Sequence, residues 1–186
     1  STAESTSYHE EELTALLEKP TETPARKDGD VNAAFAKAAK IVESTYSAPY
    51  LAHNTMEPMN FFAHVTPEKA ELLGPIQTPE FTEKTVAARL GMPVEKIDIM
   101  MTRMGGGFGR RLYGPFVIEA AVISQKMNAP VKLVYSREDD MTQGTYRPSY
   151  KVKFKAGLDD KGNLIAWHVR GAGTNDDLIF ENRFPA

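Results

Sequence analysis

The sequence predicts an α+β protein in which helices pack on mixed sheets. Three observations carry this reading. Segments of period-two and period-3.6 hydrophobicity follow one another without a repeated strand–helix–strand unit. Two pairs of strand-like segments are joined by short turns, which predicts hairpins. One strand-like segment runs through a glycine-rich loop into a helix, which predicts a crossover.

Taken in order, residues 1–7 form a loose Ser/Thr-rich lead, a short helix covers about 10–19, and 20–30 (PTETPARKDGD) is a turn-rich linker. Asp30 is an N-cap residue. Behind it Val31, Ala34, Phe35, Ala38, Ala39 and Val42 recur at helical spacing, which predicts an amphipathic helix before the pattern turns β-like over 41–46. Residues 61–66 and 71–76 read as a hairpin around Thr66-Pro67-Glu68-Lys69. Thr78-Pro79 starts a helix that runs to Leu90 and stops at Gly91, a C′ glycine. A strand is expected at 96–102, then the glycine loop, a helix from about 113 to 127 and a short buried strand at 131–135. Ser136 opens a further helix with acids in its first turn. Strands at 150–156 and 164–170 flank a clear turn at 159–163 (DDKGN). Residues 171–186 show no clear element. Domain organisation follows: 1–30 is polar lead, short helix and linker, and 31–186 is a partial domain of two lobes, about 31–95 and 96–186.

Composition narrows the function classes. The chain has 186 residues, enough for one domain or two small ones. With 22 Lys+Arg against 25 Asp+Glu the net charge is −3, and the basic residues form no stripe, so no nucleic-acid partner is expected. The absence of cysteine excludes disulfides, thiolate metal sites and cysteine-held iron–sulfur clusters within this chain. The polar, acidic first twelve residues show no signal-peptide pattern, and no apolar run nears the roughly 20 residues of a membrane span.

The glycine loop, Gly105 to Arg111, is the most informative feature. Gly105, Gly106, Gly107 and Gly109 permit positive φ and close approach of the backbone to a ligand. Placed between strand and helix, their N–H groups are expected at a helix N-terminus, which favours anions. Arg110 and Arg111 add forks suited to phosphate. Phe108, a bulky aromatic among glycines, is either a buried anchor or a surface offered to a flat ligand. Neither the Walker A pattern nor the dinucleotide pattern fits, since no Gly-Lys-Ser/Thr occurs and the third glycine of the latter is Arg110. A plain strand-to-helix turn with surface arginines is the less favoured alternative for the same spacing.

Gln77, between a strand end and a proline-started helix, can point into a cleft, but the residues alone favour a solvated loop amide. His53, Glu57 and His64 lack metal-ligand spacing; Glu57 is expected to bond loop amides, with Met56, Met59, Phe61 and Phe62 in the core. Glu138-Asp139-Asp140 reads as a capped helix start rather than a magnesium site. No metal ligands are expected.

Five ordered segments together carry a resemblance: AHNTMEPMN (52–60), PIQTPE (75–80), MGGGFGRR (104–111), PVKLVYSREDDM (130–141) and YRP (146–148). Over residues 28–170 the sequence resembles the molybdopterin-binding large subunit of the xanthine oxidase family, above all the beta subunit of isoquinoline 1-oxidoreductase and its aldehyde-oxidising relatives. The resemblance implies that the fold is part of a molybdenum-cofactor-binding domain of a bacterial enzyme. It also implies that Gly106, Gly107, Phe108 and Gly109 wrap the molybdenum end of a pterin dinucleotide cofactor. Gln77 matches a glutamine that bonds an oxo ligand of the metal, and Arg110-Arg111 is the form of the isoquinoline branch. Relatives acting on purines carry a glutamate where this chain has Leu112, which points to an aldehyde or N-heteroaromatic substrate, oxidised with water as oxygen source.

The resemblance further implies that the catalytic base, a glutamate, lies outside this chain, which is then a fragment, inactive and without cofactor alone. Two 2Fe-2S clusters are expected in a small partner subunit. The compartment, bacterial cytoplasm or periplasm, stays open. The competing expectation is a stand-alone anion- or nucleotide-binding module built on the glycine loop. As a fragment, the chain is expected to self-associate through an apolar patch.

Overall fold

A computed structural model of the chain describes residues 5–20 and 24–174. The start of the lead (1–4), part of the linker (21–23) and the final stretch (175–186) lie outside the described residues. The elements are α1 (Thr6–Glu18), α2 (Val31–Ala36), β1 (Lys40–Ala48), β2 (Asn60–Val65), β3 (Ala70–Gly74) and α3 (Pro79–Leu90). Then follow β4 (Ile97–Met101), α4 (Pro115–Met127), β5 (Val131–Val134), α5 (Arg137–Thr142), β6 (Tyr150–Leu158) and β7 (Leu164–Gly173). The α+β expectation is met. Among the described residues no helix is long and apolar enough to cross a membrane.

The chain forms two compact units, one of residues 1–51 with 147–186 and one of 52–146. This is not the expected division near residue 95. β4 belongs with the strands before it because it pairs parallel with β3, Ala70 opposite Ile97 and Gly74 opposite Met101. β1 pairs instead with β6, more than a hundred residues on.

The 52–146 unit is a sheet of order β4-β3-β2-β5 with helices on one face. Alternation in β2 and β3 sends Phe61, Ala63, Val65, Ala70 and Leu72 inward, where Val86 and Leu90 of α3 and Phe116, Val117, Ala120 and Ala121 of α4 meet them. α3 has the expected bounds, ended by Gly91 at φ +68°. Thr78 does not cap it; its hydroxyl donates to the carbonyl of Leu112. On α4 the inward row continues through Ser124, whose hydroxyl accepts from the Val65 N–H (2.9 Å) and donates to the Ala129 carbonyl (2.7 Å). β5 is an edge strand with alternating exposure, not the buried strand expected, since only β2 flanks it. Ser136 caps α5 as expected, accepting from Asp139 N–H.

The 1–51/147–186 unit is the antiparallel sheet β1-β6-β7. The predicted helix behind Asp30 stops at Ala36. Its apolar periodicity runs on into Val42 only because β1 begins at Lys40 and alternates through the same residues. The 159–163 turn is held by the Asp159 carboxylate, which accepts from the N–H of Lys161 and of Asn163. α1 lies on β6 and β7, burying Leu13 and Leu17 beside Ala172. Lys151 donates to Glu10, and Lys153 approaches Glu18 at 3.6 Å. The opposite face carries Val42, Tyr46, Phe154, Trp167 and Val169. Tyr46 is 63% and Trp167 53% exposed, around a hollow of about 310 Å³.

Candidate functional site

The glycine loop leaves the end of β4 and returns to the start of α4 within the 52–146 unit. It is not at a helix N-terminus as expected: α4 begins at Pro115, and residues 108–112 form tight turns, Arg110 N–H to Gly107 carbonyl (2.8 Å) and Leu112 N–H to Gly109 carbonyl (3.2 Å). Any affinity of the loop for negative atoms must therefore come from its own amides.

Those amides are sorted by three successive carbonyls. Gly105 C=O accepts from Glu57 N–H (3.2 Å), Gly106 C=O from Arg111 Nε (2.8 Å) and Gly107 C=O from Arg110 N–H (2.8 Å). A trans peptide points the next N–H opposite to its carbonyl. With all three carbonyls tied to the protein, the N–H groups of Gly106, Gly107 and Phe108 point away from those anchors. They donate to no group among the described residues. The arrangement needs left-handed backbone, φ +108° at Gly106, +52° at Phe108 and +93° at Gly109. Glycine accepts this freely; Phe108 does so at a cost in strain.

Gln77 closes the loop from the other side. Its Oε1 accepts from the N–H of Gly109 and of Arg111, both 3.3 Å, and its own N–H donates to Arg111 C=O (2.9 Å). The residue is exposed, as a solvated amide would be, but its Oε1 is held by the loop, and its Nε2 makes no hydrogen bond among the described residues. A Cβ on Gly107 would sit 2.6 Å from Gln77 Oε1, so any larger residue there must displace the Gln77 side chain. The Phe108 ring is 74% exposed, so of its two expected roles the buried anchor is excluded.

The arginines overturn an expectation. They were expected to offer forks to phosphate, yet Arg110 is 2% and Arg111 0% exposed. Arg111 Nη2 donates to the Glu57 carbonyl (2.9 Å) and to Glu57 Oε2 (3.0 Å), while Nη1 lies 3.5 Å from the Pro75 carbonyl. Arg110 Nη2 donates to Gln143 C=O (3.2 Å), 3.9 Å from Asp140 Oδ1, and lies against Gly144. The sequence shows charge but not the inward carbonyls that consume it.

Glu57 has the structural role expected. Its Oε2 accepts from Gly105 N–H (2.8 Å) and Arg111, and its Oε1 accepts from Asn60 Nδ2 (3.0 Å). Burial pushes its carboxyl up, but the Gly105 and Asn60 hydrogen bonds and the charges of Arg111 and Lys132 hold it below the ordinary carboxylate value. For Arg111 burial dominates and lowers the guanidinium's affinity for its proton, against the opposing pull of Glu57 and Asp140. Met59 and Phe61 are core as expected, Phe62 is half-buried and Met56 is 88% exposed. Among the described residues no cluster of His, Asp and Glu could hold a metal. Asp140 pairs with Arg137 at 3.1 Å, which explains the acidic run without magnesium.

Residues 11–174 match the family described as the molybdopterin cofactor-binding domain. The aldehyde oxidoreductase molybdenum-binding subunit PaoC of Escherichia coli K12 is 30% identical over 157 residues, 84% of this chain and 21% of the relative. The nicotinate dehydrogenase large molybdopterin subunit of Eubacterium barkeri is 32% identical over 146 residues, 78% of this chain and 34% of the relative. Among solved structures, aldehyde oxidoreductase from Desulfovibrio gigas superposes with a TM-score of 0.69 at 22% identity, over 78% of this chain and 16% of that one. Quinoline 2-oxidoreductase from Pseudomonas putida 86 gives 0.68 at 22% identity, over 76% and 18%. These two show the fold. The chain thus spans between a fifth and a third of the length of these curated relatives. A loop whose spare amides suit an oxygen-rich ligand, in a chain matched nearly end to end, agrees with the family match: the chain belongs to the molybdopterin cofactor-binding domain family.

Proposed function

We propose that this chain is the glycine-loop part of the molybdenum-pterin-binding subunit of a hydroxylase that oxidises an aldehyde or N-heteroaromatic substrate with water as oxygen source. One observation carries the reading: the N–H groups of Gly106, Gly107 and Phe108 are unspent, beside the Gln77 Nε2. A run of donors without cationic side chains suits the oxygen and sulfur acceptors of a metal-pterin group. In this reading Gln77, Gly106, Gly107, Phe108 and Gly109 contact the cofactor, a pterin dinucleotide, and Arg110 and Arg111 hold the loop from within. When bound, the cofactor supplies the redox centre for transfer of oxygen from water to the substrate carbon. This chain's residues contribute fixed donors that orient it. The exposed Phe108 ring and Leu112 add apolar surface that fits a substrate lacking the polar edges of a purine.

The base glutamate belongs to a part of the subunit outside this chain, and two 2Fe-2S clusters belong to a small partner subunit. Alone, the chain holds no cofactor and has no activity. Metal analysis of the purified full-length subunit tests the reading: about one molybdenum per subunit is expected, and a molybdenum-free protein active on none of these substrates would overturn it. The stand-alone nucleotide-binding alternative needs exposed cationic forks, and both are buried. Calorimetric titration of this chain with cytidine diphosphate is expected to show no binding.

A further inference from the structure

The glycines that let the loop's amides approach a ligand also leave its peptides free to turn over. Between Gly106 and Gly107 no side chain on either residue resists a peptide flip. Such a flip would exchange the unspent Gly107 N–H for a carbonyl, replacing a donor with an acceptor. Something outside the loop must hold that peptide, and the structure names it. Arg111 Nε binds the Gly106 carbonyl at 2.8 Å. Arg111 is in turn fixed by Glu57, through both its carboxylate and its carbonyl. Glu57 N–H holds the preceding Gly105 carbonyl, and Glu57 Oε2 holds the Gly105 N–H. The carboxylate is itself oriented: Asn60 Nδ2 occupies Oε1, and Lys132 Nζ donates to Asn60 Oδ1 at 2.8 Å.

From this we infer that Glu57 and Arg111 are positioning residues, an ion pair of a buried guanidinium with a half-buried carboxylate that sets the direction of the loop's peptides before any ligand arrives and so determines how firmly the cofactor is kept. The inference rests on the cofactor reading above. It assigns no ligand contact to either side chain. Arg111 has no access to solvent, and Glu57 is the carboxylate directly paired with it. Without Glu57 a buried guanidinium is left short of its partner and must move, and the Gly106 carbonyl loses its donor with it.

Glu57→Gln tests this without changing shape. Asn60 Nδ2, Gly105 N–H and Arg111 Nη2 are all donors, so the new amide NH2 faces a donor whichever way it turns. Arg111→Lys keeps the charge but cannot reach Gly106, Pro75 and Glu57 together from a single ammonium. Both variants are made in the full-length subunit with its partner, alongside Val86→Ala. That control removes buried volume from α3 and touches no loop residue.

Two quantities are read: the rate at which molybdenum is lost on gel filtration, and hydrogen exchange at the Gly105 and Arg110 amides in the cofactor-free form. Both positioning variants are expected to lose molybdenum about 10–100-fold faster than the parent, the range found for groups that orient a metal's ligands. Exchange at those two amides is expected to be about 10-fold faster, a free energy of local opening of the loop lower by about 1.4 kcal/mol. Val86→Ala is expected to melt earlier with both readings near the parent's. Molybdenum retention and amide protection equal to the parent in both variants would overturn the inference while leaving the cofactor reading standing. Equal losses in Val86→Ala would overturn it too, by showing a general loss of stability. A parent without molybdenum would sink the cofactor reading, and unchanged exchange in Glu57→Gln would then dispose of the positioning role as well. If Glu57→Gln fails to fold, Arg111→Lys carries both readings.

Discussion

The 52–146 unit keeps charge inside. Arg110, Arg111 and Asp140 have almost no exposure, and each meets carbonyls or an opposite charge. The 1–51/147–186 unit keeps charge at its rim: Lys153 and Lys155 of β6 meet Glu18 and Glu43 across partly wetted gaps, while one face of the sheet shows bare aromatics. Buried arginines tie segments far apart in sequence into one geometry, because an unpaired charge there is costly. Rim lysines pair loosely, Lys153 with α1 and Lys155 with β1, and specify little. Precision is therefore concentrated around the glycine loop, and the other unit presents an exposed aromatic face.

The largest expected effects break the inner network. Arg111→Met should destabilise the protein by about 3–5 kcal/mol, because it leaves Glu57 and several carbonyls without their donor. Lys153→Met, at the rim, should cost about 0–1 kcal/mol. Urea denaturation of the two variants measures the contrast, and equal losses would erase the distinction between the units. In the core, Phe61→Ala is expected to cost about 3–5 kcal/mol, since its ring fills the space between β2 and α4 and packs edge-on to Phe116 at 5.9 Å.

Gly107→Ala is an intermediate case. Its Cβ would meet Gln77 Oε1 at 2.6 Å, so the Gln77 side chain must leave the Gly109 and Arg111 amides. A stability loss of about 1–3 kcal/mol is expected with a larger loss of molybdenum, read by melting and by metal analysis of the full-length subunit.

The pH dependence is a smaller effect. The folded-state pKa of Glu57 is lowered, so its contribution is complete above the unfolded value of about 4.3 and is lost as pH falls through the folded one. Acid titration of stability should therefore show a limb below about pH 4.3 that Glu57→Gln flattens. The smallest expected effect concerns the bare face. Oxidative labelling should reach Trp167 and Tyr46 in a dilute solution of this chain and fall as concentration rises, if that face mediates the expected self-association.

Local chemistry made much of the fold legible in advance. Thr78-Pro79 and Gly91 bound α3, and Asp159 to Asn163 form the β6–β7 turn, because proline, glycine and short carboxylates act on their own backbone. The left-handed backbone at Gly106 and Gly109 was legible from the glycines, that at Phe108 was not. What stayed hidden depends on partners distant in sequence. The pairing of β1 with β6 and of β4 with β3 has no local signal. Arg110 and Arg111 read as surface forks because the carbonyls of Gly106, Glu57, Pro75 and Gln143 reach them only after folding. Glu57 could be foreseen as a loop anchor, since a lone carboxylate without ligand spacing has few other uses; its partner could not.

The central claim is that tied carbonyls leave the amides of Gly106, Gly107 and Phe108 free to grip the cofactor. Hydrogen exchange at these three amides, in the full-length subunit with and without its cofactor, tests that most directly. The account predicts fast exchange without cofactor and clear protection with it. Equal rates in the two states would contradict it.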